Sequence, residues 1–125
     1  MTVIAVAFGG ALGATLRYLV GLASMRLLGP GFPWGTVAVN VLGSFAMGLI
    51  AVMLVERFPG AWNRWAPFLL TGILGGFTTF SAFSLDAVFL MERGRLVAAV
   101  GYVGLSVVGS VLALALGMWF ARSWS

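Results

Sequence analysis

Four apolar runs, each long enough to cross a bilayer, are divided by connections of only five, nine and four residues. A membrane helix needs roughly 20 predominantly apolar residues. Runs that fit lie at Thr2 to Leu28, Trp34 to Val55, Trp65 to Met91 and Leu96 to Ala121. The connections GPGFP, ERFPGAWNR and ERGR hold the glycine, proline and charge that mark turns between spans. The chain therefore reads as one all-α membrane domain over residues 1–125 with four transmembrane helices. A water-soluble fold is excluded by area: 125 residues, 62% of them hydrophobic and 8% charged, enclose too little interior to hide that much apolar side chain. The first run has no basic segment before it and no A-x-A-like cleavage site, so it reads as a span and not as a removed signal peptide.

The connections also carry the charge. The chain has no lysine, histidine or cysteine, and its basic balance comes from seven arginines against three acids. Without cysteine there is neither a disulfide nor a thiolate metal site. The arginines stand at the ends of apolar runs and form no patch for nucleic acid. Trp34, Trp62, Trp65, Trp119 and Trp124 also fall at run ends, where amphipathic rings favour the interface. One side of the membrane receives Arg57, Arg64 and Arg122; the other receives Arg26, Arg93 and Arg95. Loop arginines and lysines set orientation by asymmetry, and three against three supplies none. The balance predicts that copies insert both ways and pair antiparallel. The competing reading is a single orientation fixed by the placement of individual arginines.

Lipid offers no hydrogen bonds, so polar side chains in spans face protein or water. Residues four apart share a helix face. Thr36, Asn40, Ser44 and Gly48 form one such row, Tyr102, Ser106 and Ser110 a second, and Gly9, Gly13, Arg17 and Gly21 a third. Gly9 and Gly13 read as packing, for which small residues at this spacing are used in membranes. Packing also competes with a polar track for Ser106 and Ser110. For Asn40 an interhelical bond and the lining of a pathway stand side by side. Arg17 reads as an anchor to backbone carbonyls ahead of a ligand for a transported ion. No acid lies in the first, second or fourth run, and Asp86 falls toward the end of the third. Proton-coupled antiporters rely on buried carboxylates and cation channels on rings of them. An interior of amide, hydroxyl and guanidinium groups donates hydrogen bonds and suits an anion.

The third run contains GGFTTFSAF, residues 75–83. Paired glycines loosen a helix, and threonine and serine can satisfy the backbone groups that a break sets free. Gly75, Gly76, Thr78 and Thr79 therefore predict an interrupted span. Unwound carbonyls at membrane depth are good cation ligands. Phe77, Phe80 and Phe83 follow at spacing three; at about 100° per residue, Phe80 and Phe83 project within about 60° of each other. An aromatic packing face is one reading. The other uses the positive edge of the ring quadrupole to attract a small anion without trapping it.

With these residues in view, the sequence resembles the small fluoride channels, the CrcB or Fluc proteins. The resemblance covers nearly the whole chain and is carried by GGALGATLRY, GTVAVNVLGSFAMG, GILGGFTTFSAFS and YVGLSVVGS in that order. It implies a channel and not an enzyme, in a bacterial or archaeal plasma membrane. Its expected form is an antiparallel dual-topology homodimer with two narrow pathways for passive fluoride export. The resemblance implies ring edges of Phe80 and Phe83 along the pathways, an amide from Asn40 to fluoride, and a polar track of Thr36, Tyr102, Ser106 and Ser110. It also implies a structural sodium ion on the backbone carbonyls of Gly75 and Thr78 from both copies, and a vestibule near Arg17. Ala82 departs from the family, which often has threonine there. A small multidrug-type exporter is the rival of similar size, but it needs a glutamate in the first span, where this chain has Arg17. A non-transporting membrane scaffold is the second rival.

Overall fold

In the computed structural model, which describes residues 2–123, four helical spans run Thr2–Leu28, Trp34–Arg57, Pro59–Glu92 and Leu96–Ser123. All four are long and apolar enough to cross a membrane. The first is α1 (Thr2–Leu28). The second is α2 (Trp34–Val52), prolonged by a π-helical turn over Met53–Arg57. The third is built from α3 (Trp62–Ala66), a π-helical stretch Pro67–Leu74, α4 (Gly75–Phe77) and α5 (Ser81–Glu92). The fourth is α6 (Leu96–Ser123).

The second connection is much shorter than its sequence reads. Helix α2 continues to Arg57, and a 3-10 turn starts at Pro59, so Phe58 alone is left between them. Proline has no N–H to lose at a first helical position, so the residue that marks a turn in the sequence starts a helix here. Pro67 acts differently. It cannot donate to the carbonyl four residues back, and the chain widens to a π-helix from that point. At the other two connections glycine is required by conformation: Gly29 and Gly94 have φ of 78° and 75°. Gly94 closes α5, with its N–H on the Met91 carbonyl and the Arg95 N–H on the Leu90 carbonyl.

Arginines fasten both ends of the bundle. Arg57 donates to the Ala121 carbonyl at 2.8 Å, and Arg122 pairs with Glu56 at 3.0 Å. At the opposite end Arg95 donates to the Gly31 carbonyl. These bonds place the second connection beside the C-terminal end of α6, and the first beside the third. Trp34, Trp62, Trp65 and Trp119 stand exposed near helix ends; Trp124 lies outside the described residues.

Two glycine seams set the crossings. An added Cβ on Gly13 would collide with the Ile73 carbonyl and lie 2.7 Å from the Phe77 nitrogen, and one on Gly9 would lie 2.9 Å from Gly72 Cα. Thus α1 crosses the third span backbone against backbone. The second seam joins α2 to α6, where Gly48 meets Leu114 and Gly117 meets Phe45 and Leu49. Glycine allows this approach, and in lipid the dispersion gained replaces the missing hydrophobic drive.

Candidate functional site: a donor-lined cavity at the interrupted third span

Where α4 ends, Thr78 turns extended, with ψ 158°, and α5 starts at Ser81. Four side chains hold the backbone in and beside this segment. Thr78 Oγ1 donates to the Leu74 carbonyl at 2.9 Å. Asn40 makes a two-point bond to Thr79: its Nδ2 donates to the Thr79 carbonyl at 3.0 Å, and its Oδ1 accepts from the Thr79 N–H at 2.8 Å. Only this orientation of the amide pairs each donor with an acceptor. Thr79 Oγ1 accepts from the Ala82 N–H at 3.2 Å, capping the start of α5. Arg17, one turn beyond the Gly13 crossing, donates through Nε to the Gly76 carbonyl at 3.0 Å.

Because the chain is extended at Thr78, the phenylalanines before and after it do not share a face. Phe77 packs on Gly43 of α2, where an added Cβ would stand 3.2 Å from the ring. Phe80 and Phe83 stay together, with ring centroids 5.5 Å apart, and Phe83 in turn lies 5.2 Å from Tyr102. Phe83 is buried, whereas Phe80 is 76% exposed on the isolated chain.

Beside these rings is an open cavity of about 290 Å³. Asn40 and Ser44 line it from α2, Thr78, Thr79, Phe80 and Phe83 from the third span, and Ser106 and Ser110 from α6. The Ser106 and Ser110 hydroxyl oxygens are buried and have no hydrogen-bond partner among the described residues. Four other hydroxyls behave differently. Thr15, Thr78, Ser84 and Ser123 each donate to the carbonyl four residues back, the usual way a helix satisfies serine or threonine internally. The two cavity serines do not use that acceptor.

Five of the seven residues expected along the pathway thus meet at one cavity: Asn40, Phe80, Phe83, Ser106 and Ser110. Thr36 and Tyr102 do not join them there. Both hydroxyls donate to the same Asp86 oxygen, Thr36 at 2.8 Å and the fully buried Tyr102 at 3.2 Å. A carboxylate inside a span needs such donors, and that cost was the one sequence signal that Asp86 gathers partners. Arg17 and Thr36 line a second cavity of about 320 Å³, with Tyr18, Thr79 and Ala82 among its other walls. Gly75 is exposed, and an added Cβ there would meet only the Leu70 carbonyl of its own helix. Ser44, Thr79 and Asp86, read in the sequence as a member of a polar row, part of the interruption and a lone acid within a run, were not placed on the pathway there.

Fold and site together define a multi-pass membrane protein whose helices enclose a cavity of uncharged hydrogen-bond donors and aromatic rings. Residues 4–118 match the family described as CrcB-like protein, Camphor Resistance (CrcB). The chain is 60% identical over 119 residues to a protein of Cereibacter sphaeroides, covering 95% of this chain and 93% of that one. It is 56% identical over 118 residues to one from a Chelativorans species and 52% identical over 118 residues to one from Mesorhizobium japonicum, with 94% of both partners covered in each case. All three relatives carry the name fluoride-specific ion channel FluC, that of a channel and not of an enzyme. The chain belongs to the CrcB family.

Proposed function

We propose that the chain forms a fluoride-selective ion channel that lets fluoride leave the cell down its electrochemical gradient. The relatives' names support the ion, and the cavity supports the chemistry. The observation that carries the reading is the pair of buried, unpartnered hydroxyls of Ser106 and Ser110 in the cavity with Asn40. A buried donor without an acceptor costs about 1–3 kcal/mol, which an acceptor arriving in the cavity would recover. The Asn40 amide keeps a second N–H beyond the one given to Thr79. Fluoride is small and strongly hydrated, and fixed donors replace part of that hydration. The edges of Phe80 and Phe83 add weaker attraction. None of these ligands carries a charge, so binding is strong enough to admit the ion and weak enough to release it. A potential negative inside favours anion exit by about 2.3 kcal/mol per charge per 100 mV, so no coupled energy source is needed.

The channel is proposed as an antiparallel homodimer with one pathway for each copy, in keeping with the balanced arginines. Polar and small residues exposed at mid-span, Thr71, Gly75 and Ser81, are poor partners for lipid and good ones for a second copy. A structural sodium ion belongs to the same proposal. The residues fit such an ion in kind: Gly75 is open to approach from outside the protomer, and Thr78 is unwound. Their neutral carbonyls would hold half of a shell that a second copy completes, and the bound cation would neutralise carbonyl dipoles gathered there. Among the described residues no cluster of three or more acidic, histidine or cysteine side chains offers a different metal site.

Liposomes loaded with potassium fluoride or with potassium chloride and given valinomycin test the function. The protein releases fluoride and retains chloride; a protein that releases neither is not this channel. In the same assay Ser106→Ala with Ser110→Ala lowers fluoride efflux by about tenfold, the equivalent of one lost hydrogen bond. Phe80→Ile keeps apolar bulk without the ring edge and lowers efflux sharply while the purified protein elutes as before. Wild-type efflux from either variant would remove that group from the pathway.

A further inference from the structure

The Asn40–Thr79 bond has a second consequence, which rests on the fluoride reading above. Thr79 is the residue common to the two cavities, the one lined by Ser106 and Ser110 and the one lined by Arg17. It is also the most restrained residue of the interruption. Asn40 holds both its backbone groups, and its hydroxyl oxygen accepts from the Ala82 N–H. A hydroxyl that accepts still has its own proton to give. The one acceptor within its reach among the described residues, Ser81 Oγ, could equally be the donor and is 3.5 Å away, beyond the usual O–H···O range of about 2.5–3.0 Å. In the Arg17 cavity the Thr36 hydroxyl is already committed to Asp86, and position 82 is alanine and offers no hydroxyl.

We propose that Thr79 is an anion-binding residue at the partition between the two cavities, handing fluoride from the Arg17 cavity to the serine cavity through its hydroxyl proton. Asn40 has a second role in this arrangement. It is a positioning residue that fixes the partition, so the Thr79 hydroxyl faces a constant path. The oxygen lone pair bound to Ala82 and the proton offered to the ion are separate functions of one side chain, and substitution separates them.

The experiment uses full-length protein in liposomes, with potassium fluoride as the probe and an electrode as the readout. Thr79→Val loses both functions and lowers fluoride efflux by about tenfold or more. Thr79→Ser retains both and restores efflux to within a few-fold of wild type. Thr79→Asp separates them, because aspartate caps a helix well but, ionised, has no proton to donate. It keeps the elution profile and helicity of the wild type and blocks efflux. Efflux restored by Thr79→Asp would show that the side chain serves only as a cap, and full efflux from Thr79→Val would show that it serves neither purpose; either result overturns the proposal. If the unsubstituted protein releases no fluoride, the channel reading fails first and takes this proposal with it. If it releases fluoride but the Thr79 series does not behave as stated, only this proposal fails.

Discussion

Asn40→Ala abolishes fluoride efflux, lowering it at least about a hundredfold, while the protein still elutes at its wild-type size. The size of the effect follows from what the amide touches. It holds both backbone groups of Thr79 at the interruption and lines the serine cavity. Alanine leaves a part-buried N–H and a part-buried C=O without partners, each costing up to about 1–3 kcal/mol. Water cannot take their place freely at membrane depth, so the segment relaxes to find new partners. That relaxation moves Phe80, the next residue along the chain, and it removes a donor from the cavity at the same time. Asn40→Asp is also inactive. It still accepts from the Thr79 N–H, but it sets a carboxylate against the Thr79 carbonyl. Electrode-recorded efflux from liposomes decides the point. Full transport by Asn40→Ala would mean that neither the amide nor the shape of the interruption matters to conduction.

The second large effect falls on stability. Gly13→Ala destabilises the fold by at least about 2 kcal/mol, the cost of overpacking a site that cannot expand. The three nearest atoms that its new methyl group meets, the Ile73 carbonyl oxygen and carbon and the Phe77 nitrogen, all belong to backbone. No rotamer change can relieve the contact, so α1 must move off the third span. The displacement also draws Arg17 away from the Gly76 carbonyl, so efflux falls with stability. Gly101→Ala is the control. Nothing lies within 4 Å of an added Cβ there, and alanine is the better helix former by up to about 1 kcal/mol. Unfolding of the purified proteins by denaturing detergent compares the two. Equal stability of Gly13→Ala and wild type would show that the α1 crossing is looser than this packing requires.

The two effects mark the limits of reading polar rows from spacing. The row Thr36, Asn40 and Ser44 does lie on one face of α2, yet its members have three different tasks. Thr36 bonds Asp86, Asn40 holds Thr79, and Ser44 lines the cavity. The α6 row divides in the same way. Tyr102 is committed to Asp86, whereas Ser106 and Ser110 remain unpartnered. Counting acids in the spans pointed toward an anion, and Asp86 carries that argument further: the carboxylate toward the end of the third span meets two hydroxyls that the sequence had assigned to the pathway. Phe77 shows the same limit in the aromatic series. Spacing three joins it to Phe80 and Phe83, but the extended backbone at Thr78 breaks the period and sends it to Gly43 instead.

By itself the sequence determined the solvent, the number of spans and the faces that turn away from lipid. Each follows from local quantities: run length against bilayer thickness, and which residues recur four apart. Only the tertiary structure decided partners. Asn40 and Thr79 are 39 residues apart, and Arg17 and Gly76 are 59. Periodicity specifies which side chains share a face but not which other helix that face meets. Backbone contact at the glycine seams settles that, and with it which hydroxyls are left free for an ion.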